Sequence, residues 1–77
     1  MPELLRLGPY RFLFNSREHG PPHVHVVSTG GRKADFWLSP IALRRRQGYT
    51  PRQIEEIRHV VITHRREFLR RWHEHFA

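Results

Sequence analysis

The stretch that decides the fold runs from His23 to Leu38: His23-Val24-His25-Val26-Val27-Ser28, then Thr29-Gly30-Gly31, then Arg32-Lys33-Ala34-Asp35-Phe36-Trp37-Leu38. In the first arm Val24 and Val26 fall on one face, and His23, His25 and Val27 on the other. In the second arm Ala34, Phe36 and Leu38 face one way, and Lys33, Asp35 and Trp37 the other. A period of two in β-branched and aromatic residues marks strands with one buried face. Gly30-Gly31 between the arms suits a hairpin turn.

Working outward, Tyr10, Phe12 and Phe14 alternate with Arg11 and Leu13, which predicts another strand. Gly8-Pro9 breaks the chain before it, and Asn15 to Pro22 forms a loop after it. Pro40 closes the second hairpin arm. Ile41 to Arg46 reads either as a short helix or as a fourth strand, ended by Gly48-Tyr49. Thr50-Pro51-Arg52-Gln53 then opens a helix, with Thr50 as N-cap, Pro51 at the first helical position and Gln53 completing a capping box. Ile54, Ile57, Val60, Val61, Phe68, Leu69, Trp72 and Phe76 recur at helical spacing, with no Gly or Pro beyond Pro51. A helix of about 25 residues is about 37 Å long, enough to overhang a small sheet or to meet a partner. The expected architecture is one α+β domain over residues 1–77: a three- or four-stranded antiparallel sheet packed against one long C-terminal helix. The second sheet face would be partly open, because few apolar residues are left to cover it.

Composition sets bounds on function. The 77 residues suffice for one thin core. Cysteine is absent, which excludes disulfides, thiol chemistry and Cys-based zinc sites. Lys and Arg number 14 against 7 Asp and Glu, a net charge of +7, which directs attention to polyanions or an acidic protein partner. Charges in Met1 to Leu7 are too closely spaced for a signal peptide. No apolar run exceeds three residues, Val60-Val61-Ile62 among them, so no membrane partner is expected and the expected location is cytoplasmic. A Gly-rich phosphate loop, a nucleophile elbow and a His-Glu-x-x-His motif are all missing, and no cofactor is expected.

Histidine is the compositional oddity, 7 of 77. The most specific stretch is Glu18-His19-Gly20-Pro21-Pro22-His23-Val24-His25-Val26. Residues two apart in a strand share a face, which makes His23 and His25 neighbours with alpha carbons roughly 6.5 Å apart. Glu18 and His19 lie across a proline-stiffened loop that would bring them alongside. Three chemistries suit this group. Paired imidazoles divide the work of base and acid, as metal-free RNA cleavage requires, with His23 and His25 carrying it and His19 and Glu18 in support. A His-x-His pair also supplies two zinc or nickel ligands, with Glu18 or His19 as a third. Imidazolium with arginine binds phosphate. Against all three stands a structural reading, in which the histidines pack a half-exposed sheet face or shape the loop. His64 and His75 fall inside the helix's apolar stripe and His73 on its flank, as core or edge residues.

The basic residues form two sets. Arg44, Arg45 and Arg46 are consecutive, and Arg52, Arg66 and Arg70 project with His59 within roughly 40° of one another on the helical wheel, opposite the core stripe. Each set suits a phosphate backbone or an acidic partner. Each also suits a solvated surface, partly neutralised on the helix by Glu55, Glu56, Glu67 and Glu74. Trp37 and Tyr10 read as core residues, or as a platform on which bases stack.

The runs Tyr10 to Ser16, Glu18 to Val26, Phe36-Trp37-Leu38 and Trp72-His73-Glu74 together resemble a small bacterial domain-of-unknown-function family (four-one-six-zero) over nearly the whole chain. Glu18, His19, Pro21, Pro22, His23, His25, Trp72 and His73 match its pattern. Gly20 stands in place of the family's asparagine, and His64 in place of another polar residue. The resemblance implies a gene beside a second small gene, the pair forming a type II toxin–antitoxin module with this family as the toxin. The expectation is thus a toxin acting on nucleic acid, RNA foremost, and partnered by an antitoxin from the neighbouring gene. Its rival is a non-enzymatic basic module that binds nucleic acid or an acidic protein.

Overall fold

The structure is a computed structural model that describes residues 3–15 and 20–76. Five strands run in chain order: β1 (Glu3–Leu7), β2 (Tyr10–Leu13), β3 (His23–Ser28), β4 (Arg32–Leu38) and β5 (Ile41–Gln47). They form one antiparallel meander in which each strand pairs with the next. One helix, α1 (Pro51–Phe76), follows. The class is α+β, as the alternation predicts, but the sheet has five strands rather than three or four.

The strand not expected is β1, and the stretch left open between a short helix and a fourth strand is β5; both lie at the sheet edges, and each carries an irregularity that breaks the alternating pattern. In β1 the register slips between Glu3 and Leu5, so Leu4 and Leu5 both pack against the core. In β5 it slips beside Asp35, where Arg45 and Leu43 face consecutive residues of β4 and leave Arg44 as an extra residue. A bulge of this kind inserts one residue and hides the period of two. The β3–β4 connection is a single tight turn over Thr29–Gly31, with Gly30 at φ +80° and Gly31 at φ +77°, where side chains are strained. Gly48 ends β5 at φ +87°, and a Cβ there would stand 3.0 Å from Cγ of Arg32.

The core lies between one sheet face and α1. Phe12, Val26, Ala34 and Phe36 from the sheet meet Ile57 and Val61 from the helix, all fully buried. The helix starts as its sequence directs: the Thr50 amide donates to Gln53 Oε1 at 2.9 Å, and the Gln53 amide donates to Thr50 Oγ1 at 3.2 Å. Between Val61 and Phe68 the inner stripe turns polar. His64 stacks on Phe68, and Arg65 donates Nε–H to the Leu38 carbonyl at 2.6 Å and Nη2–H to Ser39 Oγ at 3.1 Å, clamping the β4–β5 turn. The last turns do not overhang. Phe14 meets Trp72 at 5.2 Å and Phe76 at 5.7 Å between ring centroids, covering the helix end with the loop-side end of β2. Among the described residues no helix is long and apolar enough to cross a membrane.

Two substitutions test this packing by urea unfolding followed by far-UV circular dichroism. Thr50→Ala removes one side of the capping box and is expected to cost about 1 kcal/mol. Ile57→Ala empties the centre of the helix–sheet interface and is expected to cost about 3 kcal/mol, a large share of a small domain's stability. An Ile57→Ala midpoint equal to that of the wild type would contradict the placement of α1.

Candidate functional site

The sheet face away from α1 is where polar side chains converge. The register sets Glu3, Leu13, His25, Asp35 and Arg45 side by side in one row across the strands. Facing residues on neighbouring antiparallel strands share a face and touch. At the centre of the row Asp35 is only 3% exposed.

A buried carboxylate must have its lone pairs met. His25 Nδ1–H donates to Asp35 Oδ1 at 2.7 Å, and Arg44 Nη1–H donates to Oδ2 at 2.9 Å, with Arg45 Nε 3.6 Å from the same oxygen. Adjacent residues of a regular strand point to opposite faces. The bulge at Arg44 lifts that restriction and lets Arg44 and Arg45 reach the same oxygen. Arg44 also lies over the Trp37 ring, 5.1 Å from its centroid. Burial by itself pushes the Asp35 carboxyl up. The His25 hydrogen bond and the charges of His25, Arg45 and Arg44 outweigh it and hold the group below its ordinary 3.8.

The Asp35 bond orients His25. With the proton on Nδ1, Nε2 accepts from Asn15 Nδ2 at 3.1 Å. The imidazole is thus aimed by a carboxylate on one side and presented, through Nε2, beside an exposed amide on the other. Around it lies a shallow cavity of about 340 Å³, whose charged and polar walls are Arg11, Asn15, Lys33, Asp35 and Arg45.

The sequence expectation that His23 and His25 are neighbours holds, with ring centroids 5.2 Å apart. Their exposure differs. His23 is 2% exposed, lies against Trp37 and Trp72, and donates Nδ1–H to the Pro21 carbonyl at 2.9 Å. His25 lines the cavity and His23 does not. Glu18 and His19 lie outside the described residues, and the third metal ligand expected from them lies there too. Among the described residues no three His, Cys, Asp or Glu side chains converge as a metal site would need.

The basic residues divide. Arg44 and Arg45 belong to the Asp35 cluster, while Arg46 faces Ala34 on the next row and points to solvent. Arg52, Arg66 and Arg70 are exposed on α1, away from its buried stripe, and Arg70 donates to Glu74 at 2.8 Å. The arginine triplet is therefore split between the two sheet faces, Arg44 and Arg45 at Asp35 and Arg46 opposite the core residue Ala34. Tyr10 is a core residue whose hydroxyl donates to Glu56 at 2.8 Å, and burial together with that bond pushes it up to about 12.

Asp35, Asn15, Arg11 and Lys33 escape sequence reasoning built on the histidine motif. One signal for Asp35 is present: a lone carboxylate inside an otherwise apolar run, Ala34-Asp35-Phe36, on the face that bears His25 across the hairpin.

A family model described as Domain of unknown function (DUF4160) matches residues 10–73. No curated protein and no solved structure matches the chain significantly.

The Asp35 cluster makes stability depend on acid in one direction. Its carboxyl titrates lower in the folded chain than in the unfolded one, so its stabilisation is complete above about pH 4 and is lost as the pH falls through the folded value. Asp35→Asn is expected to cost about 2 kcal/mol at neutral pH, the worth of a charged hydrogen-bond set. It is also expected to flatten the loss of urea stability between about pH 5 and pH 3. Identical acid profiles for variant and wild type would refute this role.

Proposed function

The chain belongs to the DUF4160 family of domains of unknown function, and on that premise we propose that it is the toxin half of a two-gene toxin–antitoxin pair and binds RNA phosphates on its open sheet face. The family resemblance supports the toxin role and an antitoxin partner. One observation carries the binding role: Arg11, Lys33 and Arg45 line one cavity with His25, and Arg44 stands beside it. Asp35 pairs with Arg44 and Arg45 and Glu3 pairs with Arg11, so among the described residues these four permanent cations outnumber the two carboxylates beside them. Arginine forks match phosphate geometry, and an imidazole joins them when protonated.

A second reading, cleavage of the bound RNA, is favoured by the 2.7 Å His25–Asp35 bond. A carboxylate on Nδ1 steadies the imidazolium that forms when Nε2 takes a proton from a 2′-hydroxyl. In this reading His25 Nε2 takes the 2′-hydroxyl proton while Asp35 positions the ring, and the 2′-oxygen bonds to phosphorus and closes a 2′,3′-cyclic phosphate. The bond to the 5′-oxygen breaks, that oxygen takes its proton from water, and His23 serves as packing. The paired division of labour between His23 and His25 is set aside, because His23 is buried.

RNA affinity measured against salt tests the first reading. Wild type is expected to lose affinity steeply as salt rises, with the log–log slope falling by about 1 for each cation removed in Lys33→Ala and Arg45→Ala. A flat salt dependence would overturn it. Products bearing 2′,3′-cyclic phosphate that vanish in His25→Ala, while RNA affinity persists, would add cleavage. Growth after induction tests the toxin role, and unimpaired growth of cells lacking the neighbouring gene would remove it.

A further inference from the structure

Resting on the phosphate-binding reading, we propose that the ligand is a single-stranded phosphodiester chain that runs across the strands along Lys33, Arg11 and Arg6, and displaces the Glu3 carboxylate at the far end. The register carries the direction. Arg6 faces Arg11, Arg11 faces Val27, Val27 faces Lys33 and Lys33 faces Gln47, so one row crosses all five strands beside the Asp35 row. Its width is about 19 Å, four spacings of about 4.8 Å. Two cavities lie along it. One is the 340 Å³ hollow beside His25; the other, of about 320 Å³, is lined by Arg6, Arg11, Ser28 and Thr29. Arg11 and Val27 belong to both, which makes the hollows two segments of one track rather than two separate sites.

Glu3 shows how the track grips an anion. Its Oε1 accepts from Arg11 Nε at 2.8 Å and from Arg6 Nη2 at 3.3 Å, so one oxygen sits between two guanidinium groups as a phosphate oxygen would. Every member of this trio is solvent-exposed, and exposed ion pairs are worth little, so exchanging carboxylate for phosphate costs little. The Arg11 hydrogen bond holds the Glu3 carboxyl below its ordinary value, so it occupies this position as an anion at neutral pH.

The geometry of the face selects the form of nucleic acid. Major grooves of duplexes are read by an inserted helix or two-stranded ribbon, whereas a broad sheet face bearing an aromatic ring and cations, as in the RNA-recognition modules, suits unstacked single strands. Here the helix covers the opposite face, and the half-buried Trp37 shares the open one with Lys33.

The test is fluorescence anisotropy of the full chain with labelled oligouridylates carrying one to six phosphates, at fixed low salt. Affinity is expected to climb with each phosphate up to about three and then level off as the track fills. Arg6→Ala is expected to remove the last step of that climb, and Glu3→Gln to tighten the longer oligomers, each by about two- to fivefold, the range of an exposed pair. Both side chains lie exposed on an edge strand, and circular dichroism verifies that the variants fold. Oligomers that bind with no dependence on length or on Arg6, no tightening in Glu3→Gln, or tighter binding of the matching duplex would overturn the cross-strand track while leaving phosphate binding in place. Failure of every oligouridylate alongside binding of poly-glutamate would overturn both, and assign the face to an acidic protein.

Discussion

A carboxylate set between strands with almost no exposure is costly unless its oxygens are fully engaged. Asp35 is that group, and much of the open face follows from satisfying it. One oxygen accepts the His25 Nδ1–H hydrogen bond, which selects the imidazole tautomer and points Nε2 outward. The other draws Arg44 and Arg45 to the same side, which a regular strand forbids and the bulge in β5 permits. The concentration of positive charge on this face is therefore tied to one negative charge beneath it. The Arg44 guanidinium and the imidazole are each held by a short hydrogen bond to that carboxylate, while Arg45, 3.6 Å from it and exposed, is drawn by charge alone.

The helix lies on the other side. It takes up the whole apolar side of the sheet, from Phe12 and Val26 to Phe36, and anchors the β4–β5 turn through Arg65. Its own exposed arginines point away from the sheet. The molecule consequently carries two basic surfaces on opposite sides, and no single flat ligand reaches both. The phosphate contact proposed for the open face would leave the helix surface available to a protein of opposite charge.

Much of this was legible in the chain itself. Regular alternation in Tyr10 to Phe14, His23 to Ser28 and Arg32 to Leu38 marks the three central strands, and the Thr50–Gln53 box marks the helix start. The edge strands were obscured for one physical reason, the inserted residues at Leu4 and Arg44, which disrupt the period of two on which strand reading rests. At the site, the motif correctly placed His23 beside His25. It did not show that one ring would be enclosed by Trp37 and Trp72 while the other met Asp35. Those partners come from another strand and from the far end of the helix, a separation that spacing within one segment does not encode. The same holds for Arg11, which joins the cavity only through strand pairing.

The two outermost strands, irregular and studded with guanidinium groups, have a further effect. A sheet margin with an even ladder of unmet amides and carbonyls invites another molecule to zip onto it, and chains crowded together then polymerise into fibres. Here each margin is interrupted by an inserted residue, and like charge along Arg44 to Arg46 repels an identical neighbour. The departures from regularity that disguise these strands are also of the kind that disfavours edge-to-edge pairing.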